Sequence, residues 1–495
     1  MGEPTFLTRA SLRRVTVALV LAVGFTATGG GASADARIGV APAPGHGLQT
    51  GFLDGDFSDP DPSVRTSWLN RALQARGSIV RLQLRWSAVE PSRIAGTAAE
   101  QADNPALHFE ELDAAVRDAS ARGLRVLLTV SSAPRWAEGP QRPTSAPPGS
   151  WRPDPAALRA FSTAAARRYS GRFADPQRPG STLPAVRLWQ AWNEPNLSRE
   201  LTPQWTEQSG RFVAAGPSLY RAMLNAVYDA VRSVSPDNVV LSAGTAPFGD
   251  SSPGGPRTPP VRFWRELLCL TGRHLTARAC GRPAHFDVLA HHPYSVGDPG
   301  RRALNAEDVS IPDLGKLTRL LRRAQRVGGV LPRRHQRVWV TEIGYDSSPP
   351  DPQGVPVALH ARFVADTLYR LWSQGADVVV WLNIRDEAPL PSFAATSQSG
   401  LYFRDGSAKP ALSAFRFPFL TRRLGSRRLL SWGRAPGRGI VVIERAGRRG
   451  WRTVGRARTG PSGVFQDVLA VRATAVLRAR LGSEVSRPWG PAQGR

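Results

Sequence analysis

The chain is 495 residues long and carries 65 Lys and Arg residues against 39 Asp and Glu residues, a net charge of +26 at pH 7. This length allows one large domain and a second, smaller one. We interpret the charge excess, which is almost all arginine, as spread along the chain. It lacks the clustered basic stripe of a nucleic-acid-binding protein, so no nucleic-acid partner is expected. Such a surface fits an anionic cell-envelope polymer or an acidic polysaccharide, and the alternative is a compositional bias toward arginine without function.

The N-terminus has the pattern of an export signal. Three arginines, the last of them Arg14, precede an apolar run at residues 15–27, and small residues follow up to Ala34. This pattern predicts a signal peptide over residues 1–34 and a secreted or cell-envelope-associated protein. The run is shorter than the ~20 residues of a membrane-spanning helix. No stable membrane span is therefore expected after processing, and an uncleaved anchor is the alternative.

Residues 35–420 alternate between short strand-like runs and amphipathic helical segments, which predicts a parallel sheet covered by helices. One predicted helix begins at Pro155 after the N-cap residue Asp154, another begins near Pro217, and a third covers residues 357–374. The strand-like runs lie at residues 78–86, 124–130, 185–191, 238–244, 287–294, 337–344 and 378–383.

Two of these runs end in a glutamate. Glu194 stands in an Asn-Glu-Pro sequence after residues 185–191, and Glu342 lies near the end of residues 337–344. Because the carboxyl ends of parallel strands meet at one edge, we expect the two carboxyl groups to lie close together. Cleavage of a glycosidic bond needs such a pair, an acid with a raised pKa and an ionised nucleophile, and a separation of ~5 Å leads to retention of configuration. Ordinary surface carboxylates are the alternative.

Over residues 36–418 the chain resembles the clan A glycoside hydrolases, in particular families 39 and 5. The resemblance rests on the Asn-Glu-Pro and Thr-Glu-x-Gly strand ends, and it implies an α/β fold, the (β/α)8 TIM barrel. It further implies Glu194 as the acid/base on the fourth strand, Glu342 as the nucleophile on the seventh, and Asn193 as the amide that holds the sugar 2-hydroxyl. The expected function is that of an exported, retaining glycosidase that cleaves O-glycosidic bonds of a β-linked oligo- or polysaccharide. A non-catalytic glycan- or envelope-binding barrel is the alternative.

The resemblance also assigns residues on the second and sixth strands. Arg81 matches an arginine that keeps the nucleophile ionised. His292 and Tyr294 match a His-x-Tyr motif and share one face by the alternation of a strand. Tyr294 is expected to donate a hydrogen bond to the nucleophile and His292 to shape the sugar site, while His291 is expected to face outward.

Two tryptophans are candidates for stacking on sugar rings, whose apolar faces pack on aromatic side chains. Trp381 on the eighth strand matches the tryptophan that lies under the sugar in the resembled family. Trp136, after the third strand, is a weaker subsite candidate. Packing in the core is the alternative for both, and Glu90 is interpreted as structural.

The two cysteines of the chain, Cys269 and Cys280, are close in sequence, and in an exported protein they predict one disulfide. Two free thiols are the alternative. Zinc is not expected, because two sulfurs without nearby histidines make a poor site. The sequence has no phosphate-binding glycine loop or metal motif, so no cofactor and no metal are predicted.

Residues 421–495 change in character to short β-rich runs separated by glycine turns, which predicts a small, sandwich-like β domain. Its role is either carbohydrate binding or packing on the barrel, and packing is the favoured interpretation. Trp451 is its candidate binding residue.

Overall fold

The computed structural model describes residues 47–460 and 462–491, so the predicted signal peptide lies outside the described residues. Eight parallel strands form a closed barrel, and a helix follows each strand, so the predicted (β/α)8 barrel is confirmed. In chain order the elements are β1 (Gln49–Leu53), α1 (Pro62–Gln74), β2 (Ile79–Arg85), α2 (Glu110–Ala121), β3 (Arg125–Ser131), α3 (Pro155–Arg168), β4 (Leu188–Ala191), α4 (Gly216–Val234), β5 (Val239–Ser242), α5 (Pro260–Leu267), β6 (Val288–His291), α6 (Gly315–Val327), β7 (Arg337–Ile343), α7 (Val357–Ser373), β8 (Ala376–Leu382) and α8 (Pro410–Arg416).

The interior of the barrel is closed by a layer of apolar side chains, which excludes an open pore. Further inward positions carry the buried polar side chains of Arg81, Thr129 and Gln190. These polar side chains therefore lie on the apolar layer, which is called the floor below. The charged group of Arg81 is thus shielded from bulk water. The floor consists of Ile79, Leu127, Leu188, Leu241, Val288, Trp339, Val378 and Val380.

The first strand was not among the predicted strand-like runs. β1 has only five residues, and Gly51 stands at its centre. A Cβ at Gly51 would lie 2.3 Å from the carbonyl oxygen of Ile79, so glycine allows β1 to pack against β2. The central glycine makes β1 difficult to predict from residue propensities, and the same glycine allows the strand to close the barrel.

The three predicted helices are present. The Asp154 carboxylate accepts hydrogen bonds from the backbone N–H groups of Ala156 and Ala157, which caps α3 as the sequence predicts. α7 ends just before Gly375, whose φ of +94° is a conformation that favours glycine. Among the described residues, no helix is both long and apolar enough to cross a membrane.

The predicted disulfide is present. Cys269 and Cys280 are bonded, with Cα atoms 5.8 Å apart, and they close a short loop between α5 and β6. A two-stranded hairpin of Leu270–Thr271 and Thr276–Ala277 lies inside this loop. The bond restricts a connection that has few buried side chains of its own.

Residues 419–491, called the β region below, form two antiparallel sheets. One has the strand order β9-β10-β13 and the other β12-β11-β14-β15, and side chains from both share one apolar cluster. The predicted β-rich fold of this part of the chain is therefore confirmed. Its strands are β9 (Phe419–Gly425), β10 (Arg428–Arg434), β11 (Ile440–Gly447), β12 (Gly450–Arg458), β13 (Val464–Leu469), β14 (Leu477–Leu481) and β15 (Glu484–Val485).

Candidate active site

The chain leaves the sheet abruptly after β4. Trp192 and Glu194 both have positive φ angles, +78° and +32°, which are uncommon for residues other than glycine. The backbone N–H of Glu194 donates to the carbonyl oxygen of Gly244 at 3.0 Å, which ties this turn to the end of β5. The turn directs the Glu194 side chain into the barrel mouth, where it is only 3% exposed. Such local strain commonly accompanies functional sites.

A break in the regular pairing of β7 directs Glu342 to the same place. Trp339 lies in the barrel interior, whereas Ile343 packs in the layer between sheet and helices, so the inward-facing parity changes between them. The register of β7 against β8 shifts between Val340 and Ile343. A bulge of this kind re-aims one side chain, and here both Thr341 and Glu342 reach the interior.

Arg81 joins the two strand ends. Its guanidinium donates to Glu342 Oε2 at 2.9 Å and to Asn193 Oδ1 at 2.8 Å, and its Nε donates to Thr129 Oγ1 at 2.9 Å. The side chain of Arg81 is fully buried. Its charge therefore acts in a weakly screened environment and attracts the Glu342 carboxylate strongly.

Tyr294 holds the other oxygen of Glu342. Its hydroxyl donates to Glu342 Oε1 at 3.0 Å. Burial, together with the Glu342 charge, raises the pKa of the Tyr294 phenol well above its ordinary value, so the hydroxyl keeps the proton that it donates. Both oxygens of Glu342 thus accept hydrogen bonds that fix the orientation of the carboxylate.

His292 lies between the two glutamates. Its Nδ1 is 3.1 Å from Glu194 Oε1, and its Nε2 is 3.1 Å from Thr341 Oγ1. An ionised carboxylate only accepts hydrogen bonds, so Nδ1 of His292 donates to Glu194. A Cβ at Gly244 would lie 2.0 Å from Nε2 of His292, so only glycine leaves room for the ring. His291 points the other way, toward Thr245 and Val309.

The side chains of Glu194, His292 and Glu342 offer ligand atoms that all lie within 4.8 Å of one another. This separation matches the ~5–5.5 Å between the carboxyl groups of retaining glycosidases rather than the ~6.5–9.5 Å of inverting ones. The same three groups have the donor types of a metal site. The guanidiniums of Arg81 and Arg199 contact the two carboxylates directly, however, and their positive charges oppose cation binding.

Arg199 and Glu200 belong to the site and were missed in the sequence. Arg199 donates to Glu194 Oε2 at 2.5 Å, and its Nε lies 3.5 Å from Glu200 Oε1. Trp192 Nε1 donates to the backbone carbonyl of Glu200, which fixes this loop against the end of β4. The available signal was position, because a charged pair soon after the Asn-Glu-Pro turn must lie at the carboxyl edge of the barrel.

Two neighbouring carboxyl groups have opposite pKa shifts. Burial alone would raise the pKa of Glu194, but the hydrogen bond from His292 and the charge of Arg199 outweigh it and lower this pKa from 4.5 to about 2. Burial raises the pKa of Glu200 from 4.5 to about 7, although Arg199 opposes the increase. The raised pKa that we expected of the acid therefore belongs to Glu200 in this structure, and Glu194 is ionised.

The expected position of Trp381 is wrong. Its ring is fully buried and packs against His360 of α7 and Phe415 of α8, with centroid distances of 6.2 Å to each. Val378 and Val380 face the barrel interior, so Trp381 faces the helices by the alternation of a strand. It belongs to the core and cannot lie under a sugar bound at Glu194 and Glu342.

Trp136 packs beside Trp86, the residue that follows β2. Its ring packs edge-on against Trp86, and its Nε1 donates to the carbonyl oxygen of Glu90 at 3.1 Å. It lines a groove of about 490 Å³ with the start of α3 and one face of α4, and neither Glu194 nor Glu342 lines this groove. Glu90 is buried and accepts from Trp86 Nε1 at 2.8 Å, in agreement with a structural role.

No family model matches the chain, and no curated protein matches it. Several solved structures do match this chain. A family 39 glycoside hydrolase from the gut symbiont Bacteroides cellulosilyticus WH2 has a TM-score of 0.52 and 18% identity, over 86% of this chain and 81% of that one. A glucosidase from Croceicoccus marinus has a TM-score of 0.49 and 14% identity, over 90% and 96%. A GH5_18 protein from Bifidobacterium longum subsp. infantis has a TM-score of 0.47 and 17% identity, over 75% and 78%. The first of these similarities supports the shared fold.

Proposed function

We propose that the chain is an exported, retaining glycoside hydrolase that acts on O-glycosidic bonds of a β-linked glycan. The observation that carries this proposal is the pair of carboxylates, Glu194 and Glu342, whose ligand atoms lie within 4.8 Å at the mouth of the barrel. The export part of the proposal is supported by the sequence of residues 1–34 alone. Fold similarity does not establish an activity, so the argument rests on these side chains.

Glu342 is the proposed nucleophile. Attack of its carboxylate on the anomeric carbon forms a glycosyl–enzyme ester, and the leaving-group oxygen takes a proton from Glu194. Arg81 and Tyr294 hold the Glu342 carboxylate in place through hydrogen bonds of 2.9 and 3.0 Å. The side-chain oxygen of Asn193 accepts a hydrogen bond from Arg81. This contact fixes the orientation of the Asn193 amide group, including its N–H₂ donor.

Glu194 is the proposed acid and base. In the second half of the reaction it must be ionised to accept a proton from water, and its lowered pKa supports this role. In the first half it must carry a proton, which the guanidinium of Arg199 on Oε2 opposes. We infer that the leaving group displaces Arg199, whose side chain is 33% exposed and has room to move toward solvent.

Hydrolysis of a panel of aryl β-glycosides and soluble β-glycans tests the proposal. We expect turnover by the mature protein and a loss of at least ~10⁴-fold in Glu342→Ala, because no ester can form. Glu194→Ala is expected to lose much less rate on an activated aryl glycoside than on a natural glycan, since a good leaving group needs little protonation. The product of the wild-type reaction should keep its anomeric configuration, as followed by proton NMR.

Asp237→Ala is the matched control, because the exposed Asp237 precedes β5 at the edge of the barrel opposite the mouth, and its removal should leave the rates unchanged. Absence of turnover across the panel, combined with intact binding of a glycan, would instead favour the non-catalytic glycan-binding barrel. An inverted product would contradict Glu342 as a nucleophile.

A further inference from the structure

The charge excess of the chain is concentrated in the β region. Residues 419–491 contain 16 arginines and no lysine, against three acidic residues, Glu444, Asp467 and Glu484. This part therefore carries a net charge of +13, half of the total of +26, within 73 residues. The interpretation of an evenly spread excess was wrong, and the structure shows where the charges face.

The hairpin of β11 and β12 (Ile440–Gly447 and Gly450–Arg458), called the arginine hairpin below, carries six exposed arginines. None of the six has a hydrogen-bond or ion-pair partner among the residues that the structure describes. Arg445 and Arg452 are direct cross-strand neighbours, an arrangement of like charges that destabilises a sheet. The six residues are Arg445, Arg448, Arg449, Arg452, Arg456 and Arg458.

Arg456 and Arg458 lie on the outer face of the same sheet, whereas Arg445 and Arg452 have the opposite parity. Val441 and Ile443 of β11 point into the apolar core, so Val442 points outward together with its two cross-strand neighbours, Arg456 and Arg480. Neighbouring strands lie ~4.8 Å apart, so these two guanidiniums stand on a row that crosses three strands. This face therefore presents an arginine on each of the two strands that flank β11.

One aromatic side chain lies on this face. Trp451 is half-buried, and the guanidinium of Arg478 lies 4.2 Å from the centroid of its ring. Glu444 pairs with both Arg478 and Arg480, so a single carboxylate holds two of the arginines in place. Proteins that bind single-stranded nucleic acid offer several aromatic rings for successive bases, whereas this face offers one.

We propose that the arginine hairpin and the adjoining outer face, with Trp451, bind an anionic polysaccharide and hold the barrel on it. Guanidiniums pair with carboxylate, sulfate or phosphate groups along the polymer, and the ring of Trp451 gives an apolar edge for a sugar. The choice of a glycan over other polyanions rests on the glycosidase function proposed above, but binding requires no turnover. Repulsion among these arginines destabilises the unbound protein, so binding of a polyanion should also raise the stability of the folded state.

Binding of the mature protein to polygalacturonate tests this proposal, with the methyl-esterified polymer as an uncharged counterpart of the same backbone. We expect binding to the acid form only, weakening steeply as salt rises, and an increase in Tm with the acid form. The variant R448Q/R449Q/R456Q/R458Q should bind at least ~100-fold more weakly, because each surface arginine contributes roughly fivefold to attraction by a polyanion.

The matched control is R423Q/R427Q/R428Q/R472Q, which removes four exposed arginines without described partners from outside the four-stranded sheet. It has the same net charge as the first variant and should keep the wild-type affinity. Equal losses in both variants would reduce the effect to overall charge and overturn the proposal. Duplex DNA or anionic lipid vesicles that bind as tightly as polygalacturonate, with the same loss in the first variant, would overturn the choice of a polysaccharide.

Discussion

Arg199 determines the charge of the catalytic candidate Glu194. Its guanidinium contacts Glu194 Oε2 on one side and approaches Glu200 on the other. Burial raises the pKa of Glu194, but the hydrogen bond from His292 and the charge of Arg199 lower it by more, to about 2. His292, Glu342 and Glu200 are the other titratable groups near this carboxyl, and the charge of Arg199 is the one that a single substitution removes without altering a proposed catalytic side chain.

Arg199→Met is expected to raise the pKa of Glu194 by roughly 1–3 units, since a neighbouring arginine lowers a carboxyl pKa by about that much. Carbon NMR of protein labelled at the glutamate carboxyl would report the titration, with the Glu194 signal identified by its loss in Glu194→Gln. The alkaline limb of kcat/KM should move to higher pH in the same variant, because more Glu194 is then protonated at a given pH.

Arg199→Lys keeps a positive charge and serves as the control, with a smaller rise in the Glu194 pKa. An unchanged titration in Arg199→Met would assign the low pKa to His292 and leave Arg199 without a role in protonation. The NMR measurement needs no substrate, so its outcome is independent of whether the correct glycan has been found.

The sequence identified the residues that lie at strand ends and missed those whose placement depends on loops. Glu194, Glu342, His292 and Tyr294 meet in the structure because each follows or ends a barrel strand, and Arg81 reaches them from within β2. The position of Arg199 and Glu200 after the Asn-Glu-Pro turn places them at the carboxyl edge of the barrel, but nothing local in the sequence shows that their loop folds back over the site. Trp381 could not be excluded from the sequence, because residues 378–382 are all apolar and alternation alone does not show which side of β8 faces the helices.

At the scale of elements, the loops after β7 and β8 and the start of α8 are held together by a buried ion pair. Lys409 and Asp386 are both fully buried, with Nζ and Oδ1 2.6 Å apart. Lys409 Nζ also donates to Ser347 Oγ at 2.8 Å and to the carbonyl oxygen of Gln398 at 2.9 Å. One ammonium group thus links the connection after β7 to two distant points of the connection between β8 and α8.

Lys409→Met is expected to lower the free energy of unfolding by about 3–5 kcal/mol, because it leaves the Asp386 carboxylate buried and unpaired. Adding Asp386→Leu should recover part of this loss, since the double variant buries no isolated charge. Urea unfolding followed by far-UV circular dichroism measures both effects.

The exposed ion pair of Arg282 and Asp229, with 49% and 33% of the two side chains accessible, is the comparison. Arg282→Met should change stability by no more than about 1 kcal/mol. A loss in Lys409→Met as small as this would mean that water reaches Asp386 once the lysine is gone.

At the scale of the whole molecule, the alternation of runs predicted the barrel, but no sequence pattern predicted how the β region packs on it. Trp432 of β10 packs against Tyr369 and Trp372 of α7, with centroid distances of 5.3 and 5.6 Å. Arg434 donates to the carbonyl oxygen of Leu48, next to β1. These contacts join residues that are far apart in the chain. The sequence of β10 shows only the periodicity of a strand with one buried face, which does not identify the element that this face packs against.

Because Trp432 and Leu420 belong to the same apolar cluster as the barrel helices, the two parts should unfold together. Trp432→Ala removes a fully buried ring at the junction and is expected to lower the free energy of unfolding by about 3–5 kcal/mol. The urea midpoint should fall while the transition stays single. Trp451→Ala, in the same β region but on its outer face, is the control and should shift the midpoint far less. Two separate transitions in Trp432→Ala, one at the wild-type midpoint, would instead show that the barrel folds without the β region and that the ring only attaches one to the other.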